Sequence, residues 1–407
     1  MRAHFTTTLM ACLGGLVVAG GTAAQDWPGF RGPTGDGQVA ALPKAVPAKK
    51  VLWEAKFTGE CHAGLACAEG VLVVPDGNEE KDFYRAFDAE SGKSLWVREF
   101  PNGKEMDYGP APRATPLIRK GKVYVCSAFG DFYCLDLKDG KTLWQKSFEK
   151  DYKAGAEPPQ WGYSSSPLIV GDKLLMNPGG KTAIVALNPE TGAEIWRGAG
   201  GGVNYSTFIV STFGGVEQAI GYDGGSLGGW AIADGKRLWK LPAQSTGGYI
   251  VPSPVKVGDK LVVSFEGGDT NIYGFGKDGV LNPKSLGTNE DLKPDVITPQ
   301  AVDNLVLGVA AGLICLDAKD ELKPLWTDDK ERSWGGQFFI MNCGNQILTF
   351  NDRGEITLAT VEAKGATVIG KVRLCGATQS HPAIANGKIY VRDKQGVYCC
   401  DLGMGGK

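Results

Sequence analysis

Across 407 residues, 43 Lys and Arg stand against 45 Asp and Glu, leaving a formal net charge of −2 with no basic stripe. That balance excludes the electrostatic footprint of a nucleic-acid binder. Hydrophobic residues at 43% exclude intrinsic disorder, and the 59 glycines, scattered along the chain, mark many tight turns between short strands.

Residues 1–24 come first and stand apart. Arg2 precedes the apolar run "LMACLGGLVVAGG", which ends at Thr22-Ala23-Ala24. The pattern predicts a secretory signal peptide cleaved after Ala24. The run is short of the roughly 20 residues a membrane-spanning helix needs. Most of it also follows Cys12, the wrong spacing for a lipidated cysteine. The expectation is an exported, soluble chain without a transmembrane segment, periplasmic or secreted. Nine of the ten cysteines lie beyond the cleavage point, so at least one thiol stays unpaired within the chain.

Residues 25–50 form a lead-in that opens "DWPGFRGPTGDG", and the folded domain is expected over 51–407. Within it "AFDAESGKSLW" ends at Trp96, "CLDLKDGKTLW" at Trp144 and "ALNPETGAEIW" at Trp196. In each phrase a strand ends at an Asp or Asn (Asp88, Asp136, Asn188) whose side chain can accept the turn's N–H groups. A glycine follows where a short hairpin needs positive φ (Gly92, Gly140, Gly192), and the next strand presents a tryptophan that must be buried. Fainter copies end at Trp239 and Trp326. The copy at "GFGKDGVLNPKSL" has lost its tryptophan, "CLDAKDELKPLW" has replaced the turn glycine, and "TLATVEAKGATVIGKV" keeps only the hairpin rhythm.

Ahead of each phrase lie two alternating strands, as in "GKVYVCSAFGDFYCLDL". A turn there centred on Gly130 would place Cys126 opposite Cys134. Further upstream sits a small-residue and proline phrase, as in "RATPLI" and "SSSPLI". One unit is thus four antiparallel strands repeating at about 40–50 residues, the signature of a propeller blade. Inner strands begin near Gly64, Thr115, Ser166, Thr207, Ser253, Pro299, Gly336 and Pro382, which predicts eight blades. The last unit stops after three strands at "YCCDL". A lone tryptophan strand near the start, "VLWEAKF" with Trp53, can complete it and close the ring. The predicted fold is an all-β, eight-bladed propeller closed by that N-terminal strand.

The Ala-x-Asp-x-x-x-Gly-x-x-x-Trp phrase resembles the docking repeat of the PQQ-like propellers, also called quinoprotein alcohol dehydrogenase-like, over the span Trp53 to Leu402. The resemblance implies that Trp53, Trp96, Trp144, Trp196, Trp239 and Trp326 dock between blades on the glycine turns. It implies two kinds of function. Members include non-catalytic propellers such as the outer-membrane assembly lipoprotein BamB, and dehydrogenases that use PQQ with calcium on alcohols or sugars. The dehydrogenases carry calcium ligands, a catalytic Asp and a vicinal disulfide against the quinone. The adjacent cysteines here, Cys399 and Cys400, end the last blade, with Cys399 in a repeat position that takes Ala, and they read as small buried hydrophobes. No calcium ligand or catalytic Asp matches, and no C-x-x-C-H haem site, zinc motif or G-x-S-x-G elbow is present.

The expectation is therefore a monomeric binding scaffold without cofactor that meets an envelope or secreted protein partner, with the PQQ and calcium oxidoreductase as the alternative. Candidate ligand-binding residues lie in the loops leading into the inner strands: His62, Arg113, Trp161, Tyr163, Asn204, Tyr205, Tyr249, Trp334 and His381. Aromatic and polar side chains gathered at one rim suit a peptide or planar ligand, although each could instead pack against a neighbouring loop. His62 and His381, in blades that meet when the ring closes, could bring two imidazoles together with Cys61 or Glu60 around a soft or borderline cation, or each could bond its own loop.

Overall fold

A computed structural model describes residues 25–404 apart from 60–61, 103–104, 244–248, 266–267, 310–311 and 330–333. Eight four-stranded antiparallel sheets follow one another in chain order. Their inner strands are Ala66–Ala68, Leu117–Arg119, Leu168–Val170, Ile209–Phe213, Val255–Val257, Gln300–Val302, Phe338–Cys343 and Ala383–Ala385. These are blades 1 to 8, and the predicted starting points precede them. The cleavage point after Ala24 lies outside the described residues.

The repeated phrase folds as its chemistry demands. Asp88 Oδ1 accepts the Ser91 N–H at 2.8 Å and the Ser91 hydroxyl at 2.6 Å, while Gly92 N–H returns to the Asp88 carbonyl at 2.9 Å. Gly92 has φ of 71°, and a Cβ there would lie 2.5 Å from the ring of Trp53. Glycine is thus required twice, by the turn and by the indole laid on it.

Each indole lies on the turn of the next blade and donates its N–H there. Trp96 reaches Leu137 O at 2.8 Å, Trp144 reaches Pro189 O at 3.1 Å, Trp196 reaches Ile232 O at 3.0 Å and Trp326 reaches Glu362 O at 2.8 Å. Trp239 works through an intermediary. It donates to Gln218 Oε1 at 2.6 Å, and Gln218 passes the contact on to Gly279 O at 2.9 Å in blade 5. Where blade 5 has no tryptophan, Asn289 donates its side-chain amide to Leu322 O of blade 6 at 3.3 Å. That blade 6 turn lacks glycine and holds Glu321 and Leu322 at φ of 55° and 63°.

A second ring of bonds runs round the channel. The N–H of Gly64, Thr115, Ser166, Thr207 and Ser253 each donates to the hydroxyl of the corresponding residue in the next blade: Thr115, Ser166, Thr207, Ser253 and Thr298, at 3.0–3.2 Å. The small-residue phrase seen in the sequence is this ladder. Each hydroxyl satisfies a buried donor that has no sheet partner.

The ring closes as the strand count requires. Val51–Lys56 pairs antiparallel with Gly396–Asp401, Trp53 lying opposite Cys399. From there Trp53 donates to Ala89 O of blade 1 at 3.1 Å, so the closing strand carries the joint between last and first blades. Beside it Arg392, 2% exposed at its side chain, spans the same seam to Gly59 O at 2.8 Å, to the Pro75 carbonyl and toward Asp76, which also pairs with Arg85 at 3.1 Å.

One expected pairing is corrected. Cys126 lies opposite Phe132, and Cys134 opposite Tyr124. The turn is centred one residue before Gly130, because Ser127 Oγ accepts the N–H groups of Phe129 and Asp131. The eight described cysteines are free thiols.

Trp53→Ala should lower stability by about 3 kcal/mol, removing both the aromatic contact and the seam bond. Deleting residues 25–57 should leave an aggregating chain without a cooperative transition. Thermal melting followed by circular dichroism checks both, and a truncated chain that melts like the intact one would refute closure by this strand.

Candidate functional site

The upper mouth is where the chain enters the inner strands, and a pocket of about 330 Å³ opens there. Six of the nine candidates line it: His62, Arg113, Trp161, Tyr205, Tyr249 and His381. Three do not. Tyr163 is 6% exposed and meets Phe148 edge-to-face at 4.9 Å. Trp334 is 1% exposed, within the core between blades 6 and 7. Asn204 is a brace, its Oδ1 accepting the N–H groups of Ile250 at 2.5 Å and Tyr205 at 3.2 Å. These three build the loops on which the lining residues stand.

One wall of the pocket is aromatic. Trp161 meets Tyr249 edge-on at 4.6 Å and tilts against Tyr205 at 5.3 Å, with Tyr205 and Tyr249 at 6.4 Å. The rings touch one another, so they form a continuous surface and leave no gap in which a cation could be caged. Their loops are tied down: Tyr205 N–H reaches Ile250 O at 3.1 Å, and Ser164 Oγ donates to Tyr205 O at 2.8 Å. Arg113 braces its own loop through Asp107 O at 2.6 Å and Gly109 O at 2.9 Å, and His62 Nε2 lies 3.0 Å from Tyr108 O.

The floor holds Thr115, Ser166 and Thr207 from the hydroxyl ladder, joined by Phe339, His381 and Phe30. Because each ladder hydroxyl uses its oxygen as acceptor, its O–H remains to donate. His381 is enclosed by Phe339 at 3.4 Å and Phe30 at 5.1 Å between ring centroids. That desolvation, reinforced by the Arg31 charge, lowers its pKa to about 3, so the ring stays neutral. Sequence reasoning missed Phe30, Tyr108, Gln337, Phe339 and Gln379. Phe30 had no local signal, since nothing in "DWPGFRG" says that the lead-in crosses the channel.

It does cross, at the lower mouth. Trp27 exchanges two backbone bonds with Cys67 of blade 1 at 2.7 and 2.8 Å, and Pro28 O accepts the Ile118 N–H of blade 2 at 2.8 Å. Gln25 O accepts from Asn386 in blade 8, and Val39 N–H donates to Asn342 O in blade 7 at 2.9 Å. Buried Arg31 reaches the Pro299 carbonyl and the Gln300 side chain of blade 6. Beside the lead-in a cavity of about 1130 Å³ remains, lined by blades 3 to 5 and bordered by residues of blades 1, 2 and 6.

The described residues of the upper pocket do not assemble the carboxylate ligands of a PQQ and calcium centre. Asp295 is the sole carboxylate among the described lining residues of the upper pocket. Among the described residues no three His, Cys, Asp or Glu side chains gather as a metal site, and Glu60 and Cys61 of the expected cation group lie outside them. Cys399 and Cys400 are fully buried in blade 8 away from the pocket, their thiols pushed up by burial to about 12 and about 11.

The His381 ring supplies a pH test. Its folded pKa lies below the ordinary 6.5, so its stability contribution is whole above 6.5 and is lost as pH falls toward 3. His381→Gln should flatten the acid limb of the melting temperature over that window. An unchanged limb would place the imidazole in water.

A family profile described as outer membrane protein assembly factor BamB matches residues 85–320, more than half of the chain. Tetrathionate hydrolase of Acidithiobacillus ferrooxidans is 30% identical over 160 residues, 36% of this chain and 30% of that protein. Outer membrane protein assembly factor BamB of Shewanella oneidensis is 26% identical over 133 residues, 32% of this chain and 33% of that one. The chain thus spans about a third of these curated relatives. Among solved structures, BamB from Moraxella catarrhalis superposes with a TM-score of 0.61 at 14% identity, covering 89% of this chain and all of that one. Quinohemoprotein alcohol dehydrogenase from Comamonas testosteroni superposes with 0.64 at 13% identity, over 94% and 81%. At such identities the likeness shows the fold alone. No helix among the described residues is long and apolar enough to cross a membrane.

Proposed function

The chain belongs to the propeller family described as outer membrane protein assembly factor BamB, and from that membership we propose an exported, non-catalytic scaffold that holds a partner protein or small ligand at its upper mouth. The observation that carries this reading is the aromatic wall of Trp161, Tyr205 and Tyr249 on braced loops above a floor of hydroxyl donors. Rigid amphipathic rings offer contact area at small entropic cost, and the ladder O–H groups present donors to an acceptor-rich group seated against them. The predicted signal peptide supports placement in the cell envelope or outside it, and the names of the family and of two relatives support a role in envelope assembly.

Co-purification from the native envelope tests the scaffold. A partner or ligand retained by the wild type should be lost, with a binding penalty of about 2 kcal/mol, in Trp161→Ala and Tyr249→Ala proteins that melt normally. Addition of PQQ and calcium with an alcohol or sugar and a dye acceptor should give no turnover. Stoichiometric quinone uptake with substrate-dependent dye reduction would overturn the reading.

A further inference from the structure

Blades 2 and 3 begin with nearly the same words, Thr115-Pro-Leu-Ile-Arg and Ser166-Pro-Leu-Ile-Val, yet the lead-in covers only the first. Leu117 and Ile118 are 9% and 1% exposed beneath it. Pro28 O takes the Ile118 N–H, and Gly29 approaches so closely that a Cβ would sit 3.0 Å from Leu117. Leu168, Ile169 and Val170 of blade 3 remain half-exposed. The two strands share one register, Ile118 opposite Val123 and Ile169 opposite Leu174. The Ile169 N–H therefore faces the channel as the Ile118 N–H does. Among the described residues, no backbone bond of the lead-in reaches blades 3 to 5. Their inner strands are paired on one side only, and they line the 1130 Å³ cavity whose opposite wall is the lead-in itself.

We propose that this open half of the lower mouth takes an extended peptide of a partner protein, carrying an aromatic-Pro-Gly step, which adds to the inner edge of blade 3 and runs toward blade 4. The lead-in shows the chemistry on neighbouring edges of the same ring. Backbone groups supply the bonds, glycine permits close approach, and the aliphatic wall of Leu168, Ile169, Ile209 and Val210 selects apolar side chains. An unpaired edge lined by such residues is a template for strand addition. The proposal concerns the mouth opposite the aromatic wall and stands whether or not that wall binds a ligand.

A fluorescently labelled peptide Asp-Trp-Pro-Gly-Phe-Arg, copying residues 26–31, titrated with the purified protein, provides the test. Anisotropy should show saturable binding, with Kd of about 1 mM or tighter. Two variants should each weaken it about tenfold. Ile169→Pro removes the free donor at a position where the ladder to the next strand needs none, and Val210→Trp fills the cavity without touching that donor. Trp161→Ala should leave the affinity unchanged. Absence of saturable binding, binding that survives both groove variants, or binding lost with Trp161→Ala would each overturn the proposal.

Discussion

Everything in this ring hangs on one contact, an indole laid across the turn of the next blade with its N–H on a turn carbonyl. The contact binds the outer strand of one sheet to the hairpin of another, and beneath Trp53, Trp96, Trp144 and Trp196 the turn supplies a glycine. Four short antiparallel strands cannot bury both faces alone. The joint supplies the neighbour that does, so each blade is stable only in company. Two exceptions keep the bond without the direct indole contact. Blade 4 sends its contact through Gln218, and blade 5 substitutes Asn289, so at these two joints a bond to the next turn is kept.

That constraint also makes the site. With blades fixed by their outer joints and by the hydroxyl ladder within, the loops between them are held at a common rim. Trp161, Tyr205 and Tyr249, contributed by successive loops, therefore meet. The lower mouth obeys a different logic. There the inner strands present open edges, and one segment of the chain is spent covering five blades while three stay bare.

Legibility in the sequence followed the range of the interaction. The hairpin phrase places Asp, Gly and Trp within a few residues, so fold, blade number and closing strand could be read directly. The Cys126 register could not, because Ser127 moved the turn by one residue through bonds that any serine might or might not make. For the mouth, sequence could say which loops approach the rim but not which way a side chain turns. Trp161 faces the pocket, whereas Trp334, in an equivalent approach, is drawn into the core beside Phe338. Phe30 was hidden most completely, being far in sequence from nearly everything it meets.

The central claim is that Trp53 and its strand make the ring one cooperative unit. Native-state hydrogen exchange resolved to single amides examines it most directly. The account predicts that the ladder-bonded amides of Val51–Lys56 exchange only through global unfolding, in step with those of Gly396–Asp401. Exchange of the closing strand at the rate of surface loops, while the last strand stays protected, would contradict it.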